Sequence, residues 1–171
     1  MNIRRHTCFI PLLTLTAGML ASIPAGAADT ILHYFNGFSA TDGENPHGSL
    51  TLANATLYGT TYHGGSAGQG AIFSVNTDGS GFGLLHSFTG GSTDGRSPSG
   101  SLMLSGSKFY GMTYTGGSSE QGTIFSMNTD GSGFSLLHSF TGGNADGLNP
   151  YGALTLSGAK LYGMTHAYPV C

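Results

Sequence analysis

His33, His86 and His138 recur at one place in successive copies of a repeat, and three histidines so arranged could hold a metal or form a ring of acid-base groups. Each sits between leucine and an aromatic residue, in "LHYF", "LHSF" and "LHSF", so the expectation is a packed core histidine in each copy. Asp42, Asp94 and Asp146 precede glycine in a loop, and Asp78 and Asp130 precede glycine in a tight turn. Calcium takes oxygen ligands from such loops but needs several, and each loop here offers one or two. Side-chain hydrogen bonds within the turn account for the same aspartates. Asp42 and Glu44, two carboxylates close together, are the best metal candidates in a chain read as needing no cofactor, calcium included. His166 and Cys171 are spaced like two ligands but lack partners.

Catalysis by paired carboxylates requires two groups whose environments push their pKa values apart. Only Asp29, Glu44 and Glu120 lie outside the repeated acidic positions, and the chain carries no nucleophile elbow, phosphate loop or metal-ligand cluster. The expectation is therefore a protein that is not an enzyme. For binding, the loops after the second strand of each copy are the better place, because function sits on loops held by a rigid scaffold. Tyr62, His63, Gln69, Tyr114, Glu120 and Gln121 gather aromatic and amide groups there, suited to sugars through stacking and hydrogen bonds. The competing reading is that Tyr62 and Tyr114 simply cap the core at strand ends.

Those residues need elements to position them. Residues 1–27 read as a secretory signal: Arg4 and Arg5, the apolar "CFIPLLTLTAGMLASI", then "AGA". Without that segment three basic residues (Arg96, Lys108, Lys160) stand against eight acidic ones, a formal charge of −5. So few cations cannot neutralise a run of phosphates, which excludes nucleic acid as a partner and leaves a membrane reachable only through an anchor that the sequence does not contain. Cys8 departs with the signal, so Cys171 has no internal disulfide partner and could pair only between chains.

Residues 28–171 are dominated by a 52-residue repeat, marked by Asp42, Asp94 and Asp146, by Pro46, Pro98 and Pro150, and by Tyr58, Tyr110 and Tyr162. Within one period four short apolar segments, "GSLTL", "LYGTTY", "AIFSVN" and "FGLLHSF", alternate with turn signals, the grammar of strands. "NTDGSG" predicts a tight hairpin between the third and fourth segments, and "DGxxPxG" a Pro-bearing turn between copies. Both faces of these strands carry apolar residues, so each four-stranded sheet must be sandwiched between neighbours.

The expected fold is all-β, a β-propeller-like array of four-stranded blades. The phase assigns residues 28–48 to a first fourth-position strand with its connecting loop, 49–100 to repeat 1, 101–152 to repeat 2 and 153–171 to a truncated repeat 3. That makes about three blades against the four to eight of closed propellers, hence an incomplete ring or a homo-oligomer. The third copy departs into "HAYPVC" before its third strand, an open edge expected to make the isolated chain unstable or prone to associate.

The segment "LYGTTYHGGSAGQGAIFSVNTDGSGFGLLHSFTGGSTDGRSPSGSLML" resembles the GloVer (Gloeo/Verruco) repeat, found in tandem in extracellular bacterial proteins. The resemblance spans the chain beyond its signal and rests on Tyr-Gly-Thr-Thr, Gly-Gly, Gly-x-Ile-Phe, Asp-Gly-Ser-Gly and Leu-His-Ser-Phe in order. It implies a secreted or cell-surface β-repeat protein with no established activity. The expected function is a non-enzymatic binding or structural module for a glycan or a surface protein. The alternatives are an extracellular polysaccharide hydrolase or lyase on a propeller scaffold, and a truncated remnant of a longer repeat protein.

Overall fold

Strands dominate because β-branched and aromatic residues alternate between glycine-rich turns too closely spaced for a helix to grow. The computed structural model describes residues 30–37, 39–143 and 145–166, and no helix occurs among them. The segment read as a secretory signal and Cys171 lie outside the described residues. The architecture is all-β, with three antiparallel sheets, none of them closed.

In the first sheet β1 (Gly43–Ala53), β2 (Thr56–Gly64), β3 (Ala71–Asn76) and β4 (Gly83–Ser87) pair in chain order. The second repeats this order with β7 (Lys108–Gly116), β8 (Thr123–Asn128) and β9 (Ser135–Ser139), its leading edge divided into β5 (Gly95–Pro98) and β6 (Met103–Ser105), both paired with β7. The third consists of β10 (Leu148–Ser157) and β11 (Lys160–His166). Register recurs at a 52-residue interval: Thr51 faces Tyr58, Met103 faces Tyr110 and Thr155 faces Tyr162.

Two local expectations change. "DGxxPxG" is not only a turn, since Gly43, Glu44 and Pro46 already pair with Gly64, His63 and Thr61, so the leading strand starts about six residues earlier than its apolar part. Asn45, Ser97 and Asn149 make this workable by taking positive φ (55°, 55° and 46°), a left-handed step that Asn tolerates better than most residues. Residues 30–36, read as a fourth-position strand, join no ladder. Such a strand bonds to the third strand of its own sheet, as β4 does to β3, and no such neighbour adjoins it among the described residues.

The core lies between the first and second sheets. Ile72 and Phe88 from one meet Leu102, Phe109, Phe125 and Met127 from the other. The hairpins behave as composition predicts: Asp78 Oδ1 accepts from the backbone N–H and hydroxyl of Ser80, and Asp130 repeats the arrangement with Ser132.

Candidate functional site

The repeated histidines and aspartates belong together. Nε2 of His33, His86 and His138 lies 3.0, 3.3 and 2.7 Å from Oδ1 of Asp42, Asp94 and Asp146. In the second copy Asp94 also accepts from the backbone N–H and hydroxyl of Thr89 and from the N–H of Gly95. Burial pushes the Asp94 carboxyl up, but the hydrogen bonds from His86, Thr89 and Gly95 together outweigh it and hold it below the usual value of 3.8. At Asp146 the Thr141 N–H is the largest cause of a lowered value, opposed by burial and reinforced by the Thr141 hydroxyl and His138. An ionised carboxylate only accepts, so the imidazole nitrogen facing it carries the proton. Each aspartate thus ties a fourth-position segment to the start of the next sheet. Among the described residues no three His, Cys, Asp or Glu side chains gather closely enough to hold a metal ion.

A second convergence is better suited to a ligand. β1 bulges between His47 and Thr51, β5 and β6 are separated across Ser99–Leu102, and β10 is irregular between Tyr151 and Thr155. These irregularities occupy one repeat position, and they meet in space. Gly48, Gly100 and Gly152 are close enough that a Cβ at Gly48 would stand 2.7 Å from the Gly100 carbonyl carbon, and one at Gly100 would overlap the Gly152 carbonyl oxygen. Glycine is needed there because three backbones approach each other. Around them opens a cleft of about 290 Å³ lined by His47, Ser49, Ser99, Ser101 and Tyr151 among others.

Aromatic rings extend from this cleft in a line. His47 lies 5.6 Å from Tyr62 and 6.3 Å from Tyr151, Tyr62 lies 4.8 Å from His63, and His166 lies 6.2 Å from Tyr151 and 6.0 Å from Tyr114. Tyr62, His63 and Tyr114 from the expected loop set therefore belong to one string. The other three do not: the backbone oxygens of Gln69 and Gln121 accept from Ser97 N–H and Asn149 N–H, both at 2.7 Å, and Glu120 pairs with Arg96 at 2.8 Å. His47 and Tyr151 were missed. Their signal is the one variable residue in "PHG", "PSG" and "PYG", which looks like noise inside an otherwise strict motif.

The metal candidates separate. Asp42 is taken up by His33, Asn36 N–H and Gly43 N–H, while Glu44 lines a different polar cleft of about 330 Å³ with His63, Ser39 and Ser66. Glu44 is opposite His63 across the β1–β2 ladder.

No curated relative matches the chain. The family model of the Gloeobacter/Verrucomicrobia repeat matches residues 14–168. With that match running through all three sheets, the chain belongs to the Gloeobacter/Verrucomicrobia repeat family.

Proposed function

We propose that the sheets are blades of a β-propeller-like array and that the protein is a secreted or cell-surface module, not an enzyme, which binds a neutral glycan where the leading strands converge. The carrying observation is the cleft shared by His47, Ser99 and Tyr151, one residue from each copy at the same repeat position. Tyr151 is 49% exposed, which leaves its ring face available for a sugar. The Ser49 and Ser101 hydroxyls supply hydrogen bonds to a ligand, whereas the Ser99 hydroxyl already donates to Pro150 O. The lining residues carry no carboxylate, ammonium or guanidinium group, so an uncharged ligand fits best.

Binding of neutral oligosaccharides, followed by calorimetry after a glycan array, tests this reading. Tyr151→Ala should weaken binding about tenfold or more, the loss of one stacked ring, while leaving the melting temperature unchanged. Undiminished binding by that variant would sink the assignment of the cleft. Turnover of an extracellular polysaccharide that survives repurification and disappears in Glu44→Gln would replace it with the hydrolase or lyase alternative.

A further inference from the structure

We propose that the outer face of the third sheet receives a second copy of this chain, head to tail, against the leading face of its first sheet. Each sheet lies against the next through its leading strands, with individual contacts that differ between the two interfaces. Between the first and second, the Tyr58 ring lies 4.6 Å from Phe109, Thr60 Oγ1 donates to Gly100 O at 3.0 Å, and Thr51 Oγ1 donates to Leu102 O at 2.5 Å. Between the second and third, Met112 reaches beneath Gly163, Ser99 Oγ donates to Pro150 O at 2.8 Å, and Asn149 Nδ2 donates to Tyr114 O at 2.9 Å.

The same positions on the third sheet stand open. Met112 is 4% exposed, whereas Met164, the same residue type 52 positions later, is 68% exposed, and Tyr162 is also exposed. A surface built to be covered, and bare among the described residues, marks an interaction site.

The complementary surface lies on the first sheet. Leu52 is 58% exposed, but its counterpart Leu104 packs on the core; Pro46 is only half-buried, where Pro98 and Pro150 are fully buried. Among the described residues nothing covers the β1–β2 half of this face. Residues 30–36 cover the rest, with His33 stacked on Phe82 at 3.5 Å and Phe35 against Phe73 at 5.0 Å. That copies the seating of His86 on Phe134 and Phe88 on Phe125 one sheet later. The uncovered half is the part that β10 and β11 would cover if the internal interface were repeated once more. The occupant is therefore a second copy of this chain, and the contact joins two different patches, as in rings and open stacks.

Light scattering on the eluting protein should give a mass above that of one chain. Met164→Lys and Leu52→Lys, both at exposed positions, should each elute as single chains with unchanged circular dichroism and melting temperature. An equimolar mixture of the two variants should give a dimer, because each retains the end the other has lost. Wild-type protein that stays monomeric at its highest soluble concentration would overturn the proposal. So would variants that still associate alone, or a mixture that remains monomeric.

Discussion

His86 lies flat against Phe134, ring centroids 3.9 Å apart and planes 8° from parallel, while its Nε2 faces Asp94 Oδ1 at 3.3 Å. One imidazole therefore ties together β4, the loop leading out of the first sheet and the edge of the second. Removing the carboxylate strands the Thr89 and Gly95 donors as well as the ring nitrogen. Asp94→Ala is expected to cost about 2–3 kcal/mol in urea unfolding, the desolvation penalty of partly buried donors left without an acceptor. Asp130→Ala, in an exposed hairpin, should cost visibly less.

The same carboxylate gives the acid limb of stability a definite sign. Asp94 holds its proton less readily when folded than its usual value of 3.8, so the unfolded chain binds the proton first as pH falls. The stabilisation is complete above that value and is lost as pH drops through the lower folded one. The Asp94 contribution to the unfolding free energy should be constant above about pH 5 and decline below about pH 4. Asp94→Asn should be less stable at neutral pH and show a shallower decline, with an unchanged slope counting against this assignment.

Thr61 presents a defect that the second copy lacks. Its hydroxyl is buried without a partner among the described residues, whereas Thr113 Oγ1 has Thr123 Oγ1 at 2.7 Å and donates to Thr115 O at 2.9 Å. Ala71 occupies the place of Thr123, which removes the partner. Thr61→Val keeps the shape and discards the unpaired hydroxyl, and should stabilise by about 1 kcal/mol, whereas Thr113→Val should destabilise. Thermal melts of the two variants should move in opposite directions.

Crowding among the three central glycines predicts a sharp contrast between two alanine substitutions. Gly100→Ala drives a methyl into the Gly152 carbonyl and should cost about 1–3 kcal/mol or more. At Gly83 an added Cβ meets nothing within 4 Å and φ is not positive, so Gly83→Ala should be neutral or mildly stabilising. Equal losses at both sites would show that the convergence is looser than described.

Glu120 sits at φ 59°, where the first copy has Gly68 at 71°. Left-handed backbone costs a glutamate about 1–2 kcal/mol, and its half-exposed ion pair with Arg96 returns about 0–1 kcal/mol. Glu120→Gly should therefore leave stability unchanged or slightly raised, as read by denaturant midpoint.

The repeat made the all-β sheets and the hairpin aspartates legible, because Asp-Gly turns and paired apolar segments are local signals. Pairing of His86 with Asp94 was not, since the seven intervening positions span a strand end and a glycine loop whose path no local rule gives. Proline misled the boundary of β1, because a left-handed Asn45 before Pro46 lets the strand continue where a turn would otherwise follow. The ring string through Tyr62, His47 and Tyr151 depends on the contact between His47 and Tyr151, two repeat periods apart, so it emerges only when the sheets converge.

That convergence divides labour within a motif three residues long. In "PHG", "PSG" and "PYG" the glycine is fixed by the backbone beside it, while His47 and Tyr151 line the cleft and Ser99 is buried with its hydroxyl on Pro150 O. One position of the repeat therefore serves two ends, a side chain in the cleft from the first and third copies and a tie to the next sheet from the second. Under the proposed binding role, what the cleft recognises could be altered at His47 and Tyr151 alone, with the tie made by Ser99 left in place.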